Sequence, residues 1–127
     1  MNVNISYTSE KPMYEQIEDS IKKDIFEGRL KNNEMLPSVR QLAKDLNVSA
    51  ITTKRAYMDL ERDGLIYTIA GKGTFVKADD IGNIQSAAHQ KALEEFDKAA
   101  RQAKEYGIEK KTLEGVLDEI YGGSENE

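Results

Sequence analysis

The chain has 127 residues, 39% hydrophobic and 32% charged, with a formal net charge of −5, which is room for one ordinary domain or a small domain with an extension. No stretch approaches the roughly 20 apolar residues of a membrane span, and the opening MNVNISYTSEKP lacks the basic and apolar regions of a secretory leader, so no membrane partner and a cytoplasmic location are expected. There is no cysteine and one histidine, His89, which excludes disulfides and thiolate metal sites and leaves little for catalysis; no enzyme activity, cofactor or metal is expected.

Residues 3–7 (VNISY) have the composition of a short strand, too short to stand alone. Pro12 suits the first turn of a helix, where its missing N–H costs nothing. Ile17, Ile21, Ile25 and Phe26 then recur at helical spacing and Gly28 supplies a stop, so a first helix is predicted over about 12–27. RLKNNEMLP is a polar connection closed by Pro37. Ser38 followed by Gln41 reads as a capping box, each side chain satisfying an orphan N–H at the other's position. Val39, Leu42, Ala43 and Leu46 give the buried stripe of a short second helix that Asn47 breaks, with Val48 packing under the turn. Ser49 is a natural N-cap for a third helix, which runs to Asp63 with Ala56, Tyr57 and Leu60 inward and ends at Gly64.

The β-branched and aromatic runs 65–69 (LIYTI) and 74–77 (TFVK) flank AGKG and predict a hairpin. After it, KADDIGN is a polar joint, with Asp79 and Asp80 starting or capping the next helix. Ile84, Ala88, Ala92, Phe96, Ala99, Ala103 and Tyr106 then step by three or four along one narrow face. Gly107 separates this from a last helix carrying Leu113, Val116, Leu117, Ile120 and Tyr121. Roughly 50 residues in two amphipathic helices are marginal for an independent core, and the simplest cover for their apolar faces is a second copy in a twofold dimer. Ile84, Ala88, Ala92, Phe96, Ala99, Leu113 and Leu117 are the expected interface. The other solution is that these helices fold back on the N-terminal half.

Two short helices joined by a tight turn and followed by a Gly-tipped hairpin have the layout of a helix-turn-helix with a wing, a module that lays one helix in the major groove of DNA. The first residues of that helix approach base edges while flanking groups grip phosphates. Here Ser49, Thr52 and Thr53 offer hydroxyls and Lys54 and Arg55 offer charge. Ala50 and Ile51 can meet only apolar features, of which the thymine methyl is the obvious one. Arg40 can reach a phosphate or a guanine edge from the preceding helix. Gly71 and Lys72 bring a close-approaching backbone and a charge in the wing. Each has a plainer alternative: Ser49 as a cap alone, Lys54 and Arg55 as solvated residues or partners of Glu61 and Asp59, and AGKG as an ordinary turn.

Charge divides in the same sense. Residues 1–77 carry 12 Lys and Arg against 11 Asp and Glu, whereas residues 78–127 carry 6 against 12. The acid therefore lies away from the candidate double-stranded DNA surface. The competing function is a winged-helix module for protein contacts that works through the acidic C-terminal helices. It predicts little salt-dependent DNA affinity.

Residues 12–77 resemble the winged-helix domain of the GntR family of bacterial transcription regulators, through PMYEQI, IFEGRL, LPSVRQLAKDLNVS, RAYMDLERDGLI and GKGTFV in order and at the right spacing. The short C-terminal segment resembles the YtrA-like subfamily, whose members carry two helices where most relatives have a large effector-binding domain. The resemblance implies a homodimer that binds a twofold-symmetric operator and usually represses, often at operons for membrane transporters. It implies DNA contacts from Arg40, from Ser49, Thr52 and Lys54, and from the wing glycine Gly71. Many relatives have Arg-Thr where this chain has Ala50-Ile51, and a histidine where it has Ala70. Losing a bidentate arginine removes about 1–3 kcal/mol of base discrimination, so fewer guanine contacts and more reliance on thymine methyls and groove shape are expected.

The resulting expectation is a mainly α fold with a small β-wing: a winged helix-turn-helix DNA-binding domain over 1–77, then a two-helix dimerisation hairpin over 78–127. The short second segment leaves no room for a pocket-forming domain. A small-molecule effector, whose identity and existence are unknown from the sequence, would therefore have to bind at the dimer interface or the interdomain joint; the alternative is control by the protein's own level.

Overall fold

The computed structural model describes residues 1–122, so positions 123–127 of the expected C-terminal segment lie outside the described residues. The elements are α1 (Met13–Phe26), β1 (Met35–Leu36), α2 (Val39–Leu46), α3 (Ala50–Arg62), β2 (Ile66–Ile69), β3 (Gly73–Val76), α4 (Ile81–Glu105) and α5 (Lys110–Ile120). The chain forms two compact units that divide after Gln85, inside α4. The first turn of α4 stays with the first unit because Ala78, Ile81 and Ile84 pack against its core.

In the first unit, Ile17, Ile21 and Ile25 of α1 recur every fourth residue and are buried against Ala56, Tyr57 and Leu60 of α3 and Leu42 of α2. Leu30, Leu36, Leu65, Ile66 and Val76 close this core from the sheet side. Burial of each large side chain is worth about 1.5–3 kcal/mol, so this cluster fixes the angle between α2 and α3. Tyr57 adds a polar tie, its hydroxyl donating to the Pro37 carbonyl at 2.7 Å. The turn between α2 and α3 runs through Asn47 in the left-handed region, φ 56°, a conformation that asparagine tolerates better than most residues.

The capping box is half formed. Ser38 Oγ accepts the Gln41 N–H at 3.1 Å, but the Gln41 amide turns forward to Asp45 Oδ1 at 2.7 Å. An i,i+4 partner one turn along has taken the side chain that would have reached back. Residues 3–7 form no strand. The Gln16 side chain accepts the Ser6 N–H and donates to the Ser6 carbonyl, supplying the partners that a neighbouring strand would have provided, while Val3 and Ile5 pack on the core.

The sheet has three antiparallel strands in the order β1-β3-β2. Tyr67 pairs with Phe75 across β2 and β3, their rings stacked at 5.5 Å. Met35 and Leu36 pair with Phe75 and Thr74 on the other edge of β3. This two-residue strand was not expected, because a dipeptide before proline carries no periodicity. Gly73, at φ 137°, has Met35 over it: a Cβ there would come within 2.9 Å of the methionine methyl.

In the second unit, the remainder of α4 turns at Gly107 (φ 80°) into α5. Neither helix has a buried residue. Phe96, Ala99 and Ala100 of α4 and Leu113, Val116, Leu117 and Ile120 of α5 line an apolar cleft of about 270 Å³.

Candidate nucleic-acid interface

The N-terminal end of α3 is built by its cap. Ser49 has an extended backbone and its Oγ accepts the Thr52 N–H at 3.0 Å, which leaves the other first-turn N–H groups without intrahelical acceptors and gives that end a partial positive charge. The Ser49 hydroxyl also donates to Thr52 Oγ1 at 2.8 Å. Both hydroxyls therefore have partners inside the helix, so a DNA contact by either would share its atoms with the cap.

Beside this end, Val39 and Arg40 of α2 and Ala50, Ile51 and Lys54 of α3 line an open cleft of about 450 Å³. Ile51 is 82% exposed, an unusual place for a β-branched apolar residue at the first turn of a helix. Arg40 and Lys54 are exposed and make no ion pair among the described residues, so their charge is available at the rim. The wing tip carries Gly71, at φ 78° with open space around it, and the exposed Lys72, whose backbone N–H closes the turn on the Ile69 carbonyl at 2.9 Å.

Thr53 is placed differently from the expectation, and Arg55 takes the plainer alternative of a partner for Asp59. Thr53 is fully buried and its hydroxyl bonds back to the Ser49 carbonyl at 3.4 Å, so it belongs to the core and offers nothing to a ligand. It directly follows Thr52, and one step along a helix carries a side chain from the outer to the inner face. Arg55 is exposed but engaged: its guanidinium lies 3.8 Å from the centre of the Tyr14 ring and 3.9 Å from Asp59.

Behind Arg55 lies an acidic pair. Glu18 of α1 is only 8% exposed, and its Oε2 has no hydrogen-bond partner. Burial, then the neighbouring Asp59 carboxylate, push its carboxyl up to about 8. Asp59 is held below its usual value chiefly by the neighbouring Glu18 carboxyl, with Arg62 and Arg55 assisting. Tyr14, Glu18 and Asp59 were missed as a set because they come from two helices; the local traces are the i,i+4 spacings of Tyr14 with Glu18 and of Arg55 with Asp59.

Among the expected apolar contacts of the C-terminal helices, Phe96, Ala99, Leu113 and Leu117 meet in the α4–α5 cleft. Ala88 and Ala92 are exposed on α4, outside it. Ile84 instead packs against the core of the first unit. No group of three or more His, Asp or Glu among the described residues is arranged to hold a metal, and no helix among them is long and apolar enough to cross a membrane.

Residues 13–76, from the start of α1 to the end of β3, match the family described as bacterial regulatory proteins, gntR family. The chain belongs to the GntR family. This GntR chain is 30% identical over 129 aligned residues to the HTH-type transcriptional repressor YtrA of Bacillus subtilis, with 98% of this chain and 99% of the relative covered. Among solved structures it resembles a GntR family transcriptional regulator from Listeria monocytogenes, with 30% identity, a TM-score of 0.64, and 89% of this chain and 98% of that one covered. It also resembles the DNA-binding domain of AraR in complex with operator ORE1, with 29% identity, a TM-score of 0.51, and 60% and 93% covered. As a GntR protein with a winged helix-turn-helix, it is a DNA-binding transcription regulator. Its likeness to YtrA extends through the two C-terminal helices.

Proposed function

We propose that this protein is a homodimeric repressor that binds an inverted-repeat operator in double-stranded DNA through the first turn of α3, with Arg40 and the wing as flanking grips. The observation that carries this reading is the α2–α3 cleft, where Arg40 and Lys54 stand at the rim of an exposed apolar surface made by Val39, Ala50 and Ile51. Cations at the rim suit phosphates or guanine edges, and the apolar floor suits a thymine methyl. Ser49, Thr52 and Arg55 complete the α3 contacts, and Gly71 and Lys72 approach the backbone beyond them.

Dimerisation is assigned to the α4–α5 cleft. Its Phe96, Ala99, Leu113 and Leu117 walls are apolar and uncovered, and an isologous pairing would bury them while setting two recognition helices about one DNA turn apart, or a multiple of it. The net acidity of residues 78–127 keeps this part off the DNA. YtrA is named as a repressor, and that role is carried to this chain here, with a transporter operon as the proposed target and the cytoplasm as the proposed location.

Selection of bound sequences from a random duplex pool, followed by affinity measurements at several salt concentrations, tests the assignment. One enriched inverted repeat with steeply salt-dependent binding supports it. Weak binding indifferent to sequence overturns it in favour of a protein partner for the acidic helices.

A further inference from the structure

The Arg55 guanidinium is the one α3 cation at the candidate interface that is already engaged among the described residues. It stacks on Tyr14 at 3.8 Å and faces Asp59 at 3.9 Å, and Asp59 is bound more closely by Arg62 at 3.1 Å. The long Arg55–Asp59 distance leaves that pair loose, so a phosphate oxygen placed near Arg55 competes with Asp59 on favourable terms. Glu18 lies beneath, with Lys22 on its own helix, Asp59 and Arg62 on α3, and Asp63 just after it. Lys22 is paired with Asp63 at 3.9 Å and offsets part of the acidic charge at Glu18, but burial and Asp59 outweigh it.

We propose that Tyr14 and Asp59 position Arg55 for a DNA phosphate, and that Glu18 behind them couples this contact to a proton, so that the protein binds its operator better with Glu18 protonated. The inference rests on the reading of α3 as the DNA-facing helix. Its physical basis is charge summation in a poorly solvated place. A phosphate that draws Arg55 away from Asp59 removes a positive charge from the carboxyl pair and brings a negative one nearer. Both changes favour the protonated form of Glu18. By linkage, a proton that DNA binding favours must in turn favour DNA binding. Without that proton, two carboxylates stand where one stood and hold Arg55 away from DNA. Burial has already brought the Glu18 carboxyl to about 8, so the switch falls within the range in which proteins are ordinarily studied.

The test is operator affinity at fixed salt from pH 6.5 to 9, on the selected inverted repeat, for the full chain and for Glu18→Gln and Arg55→Gln. Wild type should weaken about threefold or more between pH 7 and pH 9, with a limiting slope of about tenfold per pH unit for one linked proton. Glu18→Gln should flatten that profile, while groups elsewhere on the protein contribute equally to both and cancel. Arg55→Gln keeps the acid pair but cuts its link to DNA, so it should bind more weakly and lose the excess pH dependence. A wild-type profile that Glu18→Gln leaves unaltered overturns the coupling, as does an Arg55→Gln profile as steep as wild type. Lack of sequence-specific binding at every pH overturns the assignment of α3 itself and the coupling with it.

Discussion

Arg55 and Tyr14 join α3 to the start of α1 through a guanidinium–ring contact of 3.8 Å. The helix whose first turn is proposed to meet DNA is thus braced by the first turn of another helix, next to the candidate interface. A cation–π pair at an exposed site is worth about 0.5–1 kcal/mol. Tyr14→Leu should therefore lower stability by about that amount, measured by urea denaturation. In the Arg55→Gln background the same substitution should cost nearly nothing. An equal cost in both backgrounds would mean that the tyrosine stabilises by packing alone.

Glu18 makes stability depend on pH in a defined direction. Its folded-state value, about 8, lies above its ordinary 4.5, so between these limits the folded protein holds a proton that the unfolded chain has released. Stability must then fall as pH rises from about 4.5 to about 8 and level off beyond. Glu18→Gln removes the titration and should raise the melting temperature at pH 8.5, by up to a few kcal/mol in equivalent free energy, with little gain near pH 4.5. Thermal melts of both proteins at the two pH values check this; a gain that is the same at both would assign the effect to packing.

Arg40 should separate binding from folding. It is exposed on α2 without an ion-pair partner among the described residues, so Arg40→Ala should change folding stability by less than about 0.5 kcal/mol. If the guanidinium meets a base edge, the substitution should cost about 1–3 kcal/mol of operator affinity and relax preference at one position. If it meets a phosphate, binding should instead weaken alike on all sequences, with the salt slope reduced by about one. Equal losses of stability and affinity would make Arg40 a structural residue.

The N-terminal module was legible because its sequence signals agree. Isoleucines at every fourth position of α1, serine caps before α2 and α3, Asn47 at the turn and glycines in the wing each specify one local geometry, and all of them fit one fold. What stayed hidden was non-local. Met35 and Leu36 become a strand only because β3 offers an edge. Gln41 turns forward because Asp45 competes for it. The burial of Thr53 was in the pattern and was overlooked: it stands three, four and seven residues before Ala56, Tyr57 and Leu60, on the inward stripe of α3, whereas Thr52 is off that stripe. The Glu18–Asp59–Arg55–Tyr14 set is two i,i+4 pairs, one on α1 and one on α3, and no sequence spacing shows that the two pairs meet. In the C-terminal helices the apolar stripe was visible, but Ile84, at its start, packs against the core of the first unit, a non-local contact that the spacing does not reveal.

The C-terminal cleft should fail when charged. Phe96 is 53% exposed and lines the cleft with Leu113 and Leu117. Burying an aspartate in its place would lose the apolar contribution of the ring and add the cost of an unpaired charge. Phe96→Asp should therefore weaken dimerisation by at least about 100-fold while leaving the first unit folded, as sedimentation and circular dichroism would show. A variant that remains dimeric at micromolar concentration removes this cleft from the interface.

Ile51 provides the sharpest check on base reading. An 82% exposed isoleucine beside Ala50 and Val39 can recognise only shape and apolar surface, and in the major groove that means the C5 methyl of thymine. Replacing single thymines of the selected operator by deoxyuridine removes that methyl and no hydrogen-bonding group. Wild type should lose about 1 kcal/mol at one position in each half-site, roughly the value of one buried methyl group. Ile51→Ala should bind the normal operator more weakly by a similar amount and be indifferent to uracil at that position. If the variant still distinguishes thymine from uracil there, another residue of the cleft reads the methyl, and the exposure of Ile51 serves no direct readout.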